Sequence, residues 1–218
     1  MPVTSCGMKL DDKAVRVTIG LWLGLELCVP HQYHCGAHVD AHGCHAFVCK
    51  KAAGQINSAP CSKRASSSCC HGSSNSQHEG TAGLCRSDWK RSDGFTLVLW
   101  QSGKSLVCDV TVDCSLADSY VASVVREARC VAELVAAKKE DKYSGLAADY
   151  LFQPIVVETL GPVNELACDF FSLLVKKISH HSGDEQETAF LFQYISVLVQ
   201  RFNCMLLHYS FVFEDCPE

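Results

Sequence analysis

Residues Lys90 to Val112 read KRSDGFTLVLWQSGKSLVCDVTV. Phe95–Trp100 and Leu106–Val112 are rich in β-branched and aromatic residues and flank QSGKS, which predicts a β-hairpin. Asp93 precedes the first run and Asp109 lies inside the second. A hairpin brings the two ends of such a segment together, and paired carboxylates can hold a divalent cation, usually Mg2+, that activates water and offsets charge on a phosphodiester. Register decides whether they meet. Side chains change face at every residue, so a two-residue loop at Ser102-Gly103 sets Asp109 opposite Thr96 and leaves Asp93 on the other face. A bulge at Gly94, or a three-residue loop ending in a bulge, restores a common face. Otherwise Asp93-Gly94 is a plain turn and Asp109 a solvent-facing strand residue.

Outward from the hairpin, the chain keeps a regular period. Ser119–Lys142 places Tyr120, Val124, Val131, Leu134 and Val135 at spacings of three and four, which predicts an amphipathic helix. Leu151–Leu160 reads as a third strand, and Pro154 suits it to an edge or a strand start. Asn164–Ser179 reads as a helix whose start is marked by Pro162 and Asn164. A last helix is expected from about Asp184 to Leu207, with acidic residues in its first turn and Phe190, Leu191, Tyr194, Ile195, Leu198 and Phe202 on one stripe. Those aromatics suit a packed core face better than a base-stacking platform. The order ββαβαα implies an α/β fold, a mixed sheet covered by helices.

The upstream half is different in kind. Residues 1–30 are largely apolar. Residues 31–51, HQYHCGAHVDAHGCHAFVCKK, are dense in histidine and cysteine, a composition that suits either a metal site or a surface turn with thiols. Residues 57–83 contain no Ile, Leu, Val, Met or aromatic residue, so they read as loop or disorder. Lys50, Lys51, Lys63 and Arg64 offer a small basic patch, and Trp89 and Trp100 are candidates for contact with a nucleic-acid backbone.

Bulk numbers limit the options. Of 218 residues, 48% are hydrophobic and 20% charged, which is enough to bury a core. A net charge of −5 argues against wrapping nucleic acid by bulk attraction, so any such binding needs a local patch. Fifteen cysteines follow a polar N-terminus, MPVTSCGMKLDDK, without a secretory signal, which points to reduced thiols in an intracellular protein. The early apolar run Val15–Val29 contains Arg16 and Glu26 and is shorter than the roughly 18 to 20 residues a membrane span needs, so no membrane anchor is expected there.

Over most of the chain from about Asp12 to Phe211, outside the Ser/Cys-rich stretch, the sequence resembles the C-terminal region of non-LTR retrotransposon reverse transcriptase polyproteins. The runs that carry the resemblance are KRSDGFTLVLWQSGKSLVCDVTV, AAKKEDKYSGL, FQPIVVETLGPVNE and ETAFLFQYISVLVQRFN. The resemblance implies a restriction-like endonuclease of the PD-(D/E)xK type, in which two acids bind Mg2+ and a lysine assists the attacking water. Asp93 matches the first acid and Asp109 the second. Thr111 stands where the wider fold carries its lysine, and Lys142, with Lys138 one turn earlier, is the implied replacement. Ser92 stands where the family has proline, and residues 57–83 lack the helix that precedes the first strand, so activity is expected to be impaired.

The same resemblance makes residues 31–51 a zinc-knuckle-like element. Cys35, His45 and Cys49 match its last three ligands. Tyr33 replaces the first cysteine, so His34 or His31 would complete a Zn2+ tetrahedron. The implied organisation is a remnant of the polymerase-side region over 1–30, the knuckle over 31–51, a disordered or frameshifted linker over 52–84 and the endonuclease domain over 85–213. The implied partner is DNA, together with element RNA in intact relatives, and the implied reaction is nicking of target DNA. No polymerase motif is present. The alternative is a non-catalytic zinc- and nucleic-acid-binding remnant.

Overall fold

A computed structural model describes residues 7–49, 93–96, 99–146, 148–183 and 186–211. The expectations placed on Lys50, Lys51, Lys63, Arg64, Trp89, Ser92 and the 57–83 stretch lie outside these residues. The fold is mixed α/β, with helices around two small sheets.

At the N-terminal end, helix α1 (Asp12–Leu23) starts where Asp11 Oδ1 accepts a hydrogen bond from Ala14 N at 2.8 Å and stops at Gly24, whose φ of 63° is the left-handed turn that ends many helices. Two short antiparallel strands, β1 (His31–Gln32) and β2 (His38–Val39), lead into helix α2 (Cys44–Val48).

The second sheet has the order β3-β4-β5, with β3 at Gly94–Phe95, β4 at Ser105–Asp113 and β5 at Tyr150–Glu158. β3 runs antiparallel to β4, and β5 runs parallel to β4. The hairpin turn is the two-residue Ser102-Gly103 loop, closed by a Gln101–Lys104 bridge; both loop residues have positive φ, as this tight turn requires. β5 is an edge strand, which accommodates Pro154. Its open edge is covered by Asn164: the buried side chain accepts from Val156 N at 2.9 Å and donates to Pro154 O at 3.5 Å, while its own N–H donates to Val156 O at 3.1 Å.

Helices pack on both faces of this sheet. The expected single helix Ser119–Lys142 is instead two, α3 (Asp118–Val124) and α4 (Cys130–Tyr143), separated at Arg129, where φ is 74°. α3 buries no residue, whereas α4 has a fixed start: its Ala132 N donates to the carboxylate of Glu158, buried at the end of β5, at 3.1 Å. That anchor, and not the continuous apolar period, sets where the helix begins. Ala132 and Ala136 of α4 pack on Val156. On the opposite face Ile155 and Val157 pack against Ala167 and Phe171 of α5 (Glu165–Ser182) and Val199 of α6 (Glu187–His208). Asn164 is the N-cap residue of α5, but its side chain is used on β5; Glu133 Oε1 accepts from Glu165 N at 2.6 Å in its place.

The last helix unites both regions. It is long and apolar enough to cross a membrane by length and composition, and in this fold its C-terminal half packs against α1 and α2. Leu206 and Leu207 share a core with Leu21, Tyr33, Val39, Phe47, Cys49 and Cys114. Asn203 Nδ2 donates to Thr159 O at 2.8 Å, tying the helix to the turn after β5.

Candidate functional site

Gly94 pairs with Cys108 and Phe95 with Val107, so the ladder sets Asp93 across from Asp109. The turn alone would not do this, because Gln101 pairs with Lys104. From Thr96, whose N–H donates to Leu106 O, to Gln101 the first strand takes more residues than the second does from Leu106 to Lys104. The excess is odd, which turns Asp93 onto the face of Asp109. Trp100 N and Gln101 N both donate to Lys104 O, at 2.8 and 3.4 Å, so a bulge adjoins the two-residue loop and does not fall at Gly94. Gly94 has its own role, since a Cβ there would run into Cys108 Sγ.

The shared face is the one that α4 covers. Lys139 Nζ lies 2.9 Å from Asp109 Oδ2, with both side chains largely shielded, and 3.5 Å from Asp109 O. Asp93 Oδ2 accepts from Val110 N at 2.8 Å. Desolvation is the largest influence on the Asp93 carboxyl and pushes it above the usual carboxylate range. The Val110 N–H opposes that rise, the facing Asp109 adds to it by hydrogen bonding and charge, and Lys139 lowers it again. Burial next to these two acids also pushes the Cys108 thiol up to about 11.

The lysine at the pair is thus Lys139. Lys138 is exposed, and Lys142 donates to Tyr143 Oη at 3.1 Å with its Nζ 4.5 Å over the Tyr143 ring. The reason is helical phase. Ala132, Ala136 and Tyr143 are buried along one stripe of α4, and Lys139 falls on that stripe, whereas Lys138 is turned by about 100° from it. The pattern AxxxAxxKxxxY carried this signal in the sequence.

A second cluster lies in the N-terminal region. The Tyr33–Ala37 turn presents Cys35, and α2 presents His45 with Cys49 just beyond its end. Cys35 Sγ is 3.1 Å from His45 Nε2, and the three donor atoms of Cys35, His45 and Cys49 all lie within 4.8 Å of one another. Bonds of about 2.3 Å to sulfur and about 2.0 Å to nitrogen place zinc ligands at comparable separations. This Cys-His-Cys group could hold a metal such as zinc.

The histidines expected to complete it are engaged elsewhere. His31 stacks on Phe211 at 4.4 Å, and its ring nitrogens meet Val29 O at 2.9 Å and Ser210 Oγ at 3.0 Å. His34 Nε2 meets Tyr209 O at 2.9 Å. Both therefore fasten the turn to the end of α6, and neither belongs to the group. Tyr33, by contrast, is only 2% exposed and stands edge-on to the His45 ring at 5.2 Å.

No family model, curated protein or solved structure matches the chain. Function must therefore be argued from these two groups of side chains.

Proposed function

We propose that the chain is a restriction-like, Mg2+-dependent DNA endonuclease domain derived from a non-LTR retrotransposon. The observation that supports this reading is the convergence of Asp93, Asp109 and Lys139 on one sheet face beneath α4. Two hard oxygen donors suit Mg2+, which when bound would polarise water and neutralise charge on the scissile phosphate.

The chain's own groups have separate tasks in this scheme. Asp93 and Asp109 supply the carboxylates, and Val110 N–H holds the Asp93 carboxylate in place. Lys139 holds Asp109 in the resting site and is the cation available to the developing charge on phosphate oxygens. Exposed Lys138 on the same helix adds positive charge toward a nucleic-acid backbone despite the net charge of −5. An intracellular setting fits nine described cysteines that form no disulfide.

Purified full-length chain incubated with supercoiled DNA and Mg2+, beside Asp109→Ala, tests the reading. Nicking by the wild type alone is expected; equal nicking by both rejects it. The Cys35, His45 and Cys49 group favours a second reading, a non-catalytic zinc- and nucleic-acid-binding module. That module would take up stoichiometric zinc and bind DNA, with no Mg2+-dependent cleavage.

A further inference from the structure

The Cys35, His45 and Cys49 group supplies three donors, and a closed structural zinc site takes four. Among the described residues, other His and Cys donors of this region are committed. His31 and His34 contact the Ser210 and Tyr209 end of α6, Cys28 Sγ donates to Asp40 O at 3.3 Å, and His42 Nδ1 meets Leu25 O at 3.3 Å. Among the described residues of this turn, one buried side-chain polar atom is left over. The Tyr33 hydroxyl is buried and has no hydrogen-bond partner, although buried hydroxyls almost always find one.

Tyr33 is also fixed by the turn that carries Cys35. Its carbonyl accepts from Gly36 N at 2.8 Å and its N–H donates to Ala37 O at 2.9 Å, so the turn that presents Cys35 presents Tyr33 as well. Its ring is edge-on to the His45 ring at 5.2 Å, and it shares a core with Cys49. We propose that Tyr33 Oη is the fourth ligand of this centre, closing a site of two thiolates, one imidazole and one phenolate for a divalent metal of the zinc class. This rests on the three-donor group being a metal centre. An oxygen donor in place of a third thiolate makes the site harder and weaker than one built from three cysteines and a histidine, and more tolerant of Co2+.

Co2+ added to the full-length chain provides the test, followed by visible absorption and by the ultraviolet difference band of metal-bound tyrosinate. The wild type is expected to give a four-coordinate Co2+ spectrum with the tyrosinate band. Tyr33→Phe should lose that band and bind Co2+ at least about tenfold more weakly. Tyr33→Cys should bind again, with stronger thiolate charge transfer, which shows that the Phe variant fails for want of a ligand and not of a fold. A wild-type complex without the tyrosinate band, or a Phe variant with unchanged affinity and spectrum, overturns the role of Tyr33 while leaving the three-donor centre intact. If Co2+ binds neither the wild type nor Tyr33→Cys, or binds Cys49→Ser as it binds the wild type, the centre itself falls.

Discussion

Asp93 lies directly across the β3-β4 ladder from Asp109, and Lys139 reaches Asp109 Oδ2 at 2.9 Å from the helix above. Two acids and one base thus share a face that a regular hairpin would have split between both sides of the sheet.

Replacing Lys139 by alanine should lower DNA nicking by about 10² to 10³, the usual cost of removing one stabiliser of transition-state charge. Lys138→Ala should weaken DNA binding modestly and leave the cleavage rate of bound DNA within about threefold of wild type, because Lys138 is exposed and off the buried stripe of α4. Supercoiled-plasmid assays on the two variants measure the difference.

The raised Asp93 carboxyl predicts a pH dependence with a definite sign. A carboxyl whose folded pKa exceeds its unfolded value binds protons more tightly when folded, so its contribution is fully present below the unfolded pKa and is lost as pH rises through the folded one. Over that window, from the ordinary value of 3.8 upward, wild-type stability should decline relative to Asp93→Asn. Denaturant midpoints of the two proteins across the window measure this, and Mg2+ affinity should rise over the same interval as the proton leaves. A stability difference independent of pH would contradict it.

Gly94→Ala should separate the two aspartates. The added methyl meets Cys108 Sγ, and the strand must shift to accommodate it. Nicking should fall by more than about tenfold, and Gly94→Ala with Cys108→Ala should recover much of it, since the second change removes the obstructing atom. A thiol pKa of about 11 also predicts that Cys108 reacts slowly with alkylating reagents at neutral pH, as mass spectrometry of the labelled chain would report.

Asn164→Ala should cost about 2 to 4 kcal/mol in urea unfolding. The change removes the acceptor of Val156 N and the donor to Pro154 O, leaving buried backbone groups unsatisfied at the β5 edge. Asn164→Asp, which keeps the acceptor for Val156 N, should cost less than the alanine change.

Zinc at 100 times its dissociation constant should raise stability by about 2.7 kcal/mol, and a chelator should reverse the gain. The effect should vanish in Cys35→Ser and Cys49→Ser. Thermal melts with and without the metal provide the check.

The sequence by itself determined element types where the pattern is local. Two β-rich runs around Ser102-Gly103, the start of α5 after Asn164 and the apolar stripe of α6 follow from turn chemistry and from periods of two and 3.6, which depend only on neighbours. The clustering of Cys35, His45 and Cys49 was legible for the same reason, since these residues lie close together in the chain.

Only the tertiary structure decided which side chains meet. The face of Asp93 depends on the bulge at Trp100-Gln101, because one residue of slip reverses every side chain beyond it. The choice of Lys139 over Lys138 and Lys142 depends on the rotation of α4, which Glu158 at the end of β5 fixes through Ala132 N. The same anchor accounts for the break at Arg129, where an apolar period that continues in sequence belongs to two helices in space. His31 and His34 are drawn to the end of α6 by residues about 175 positions away, while the Tyr33 hydroxyl stays buried without a hydrogen-bond partner. Such long-range packing sets register and rotation, and neither leaves a trace in local periodicity.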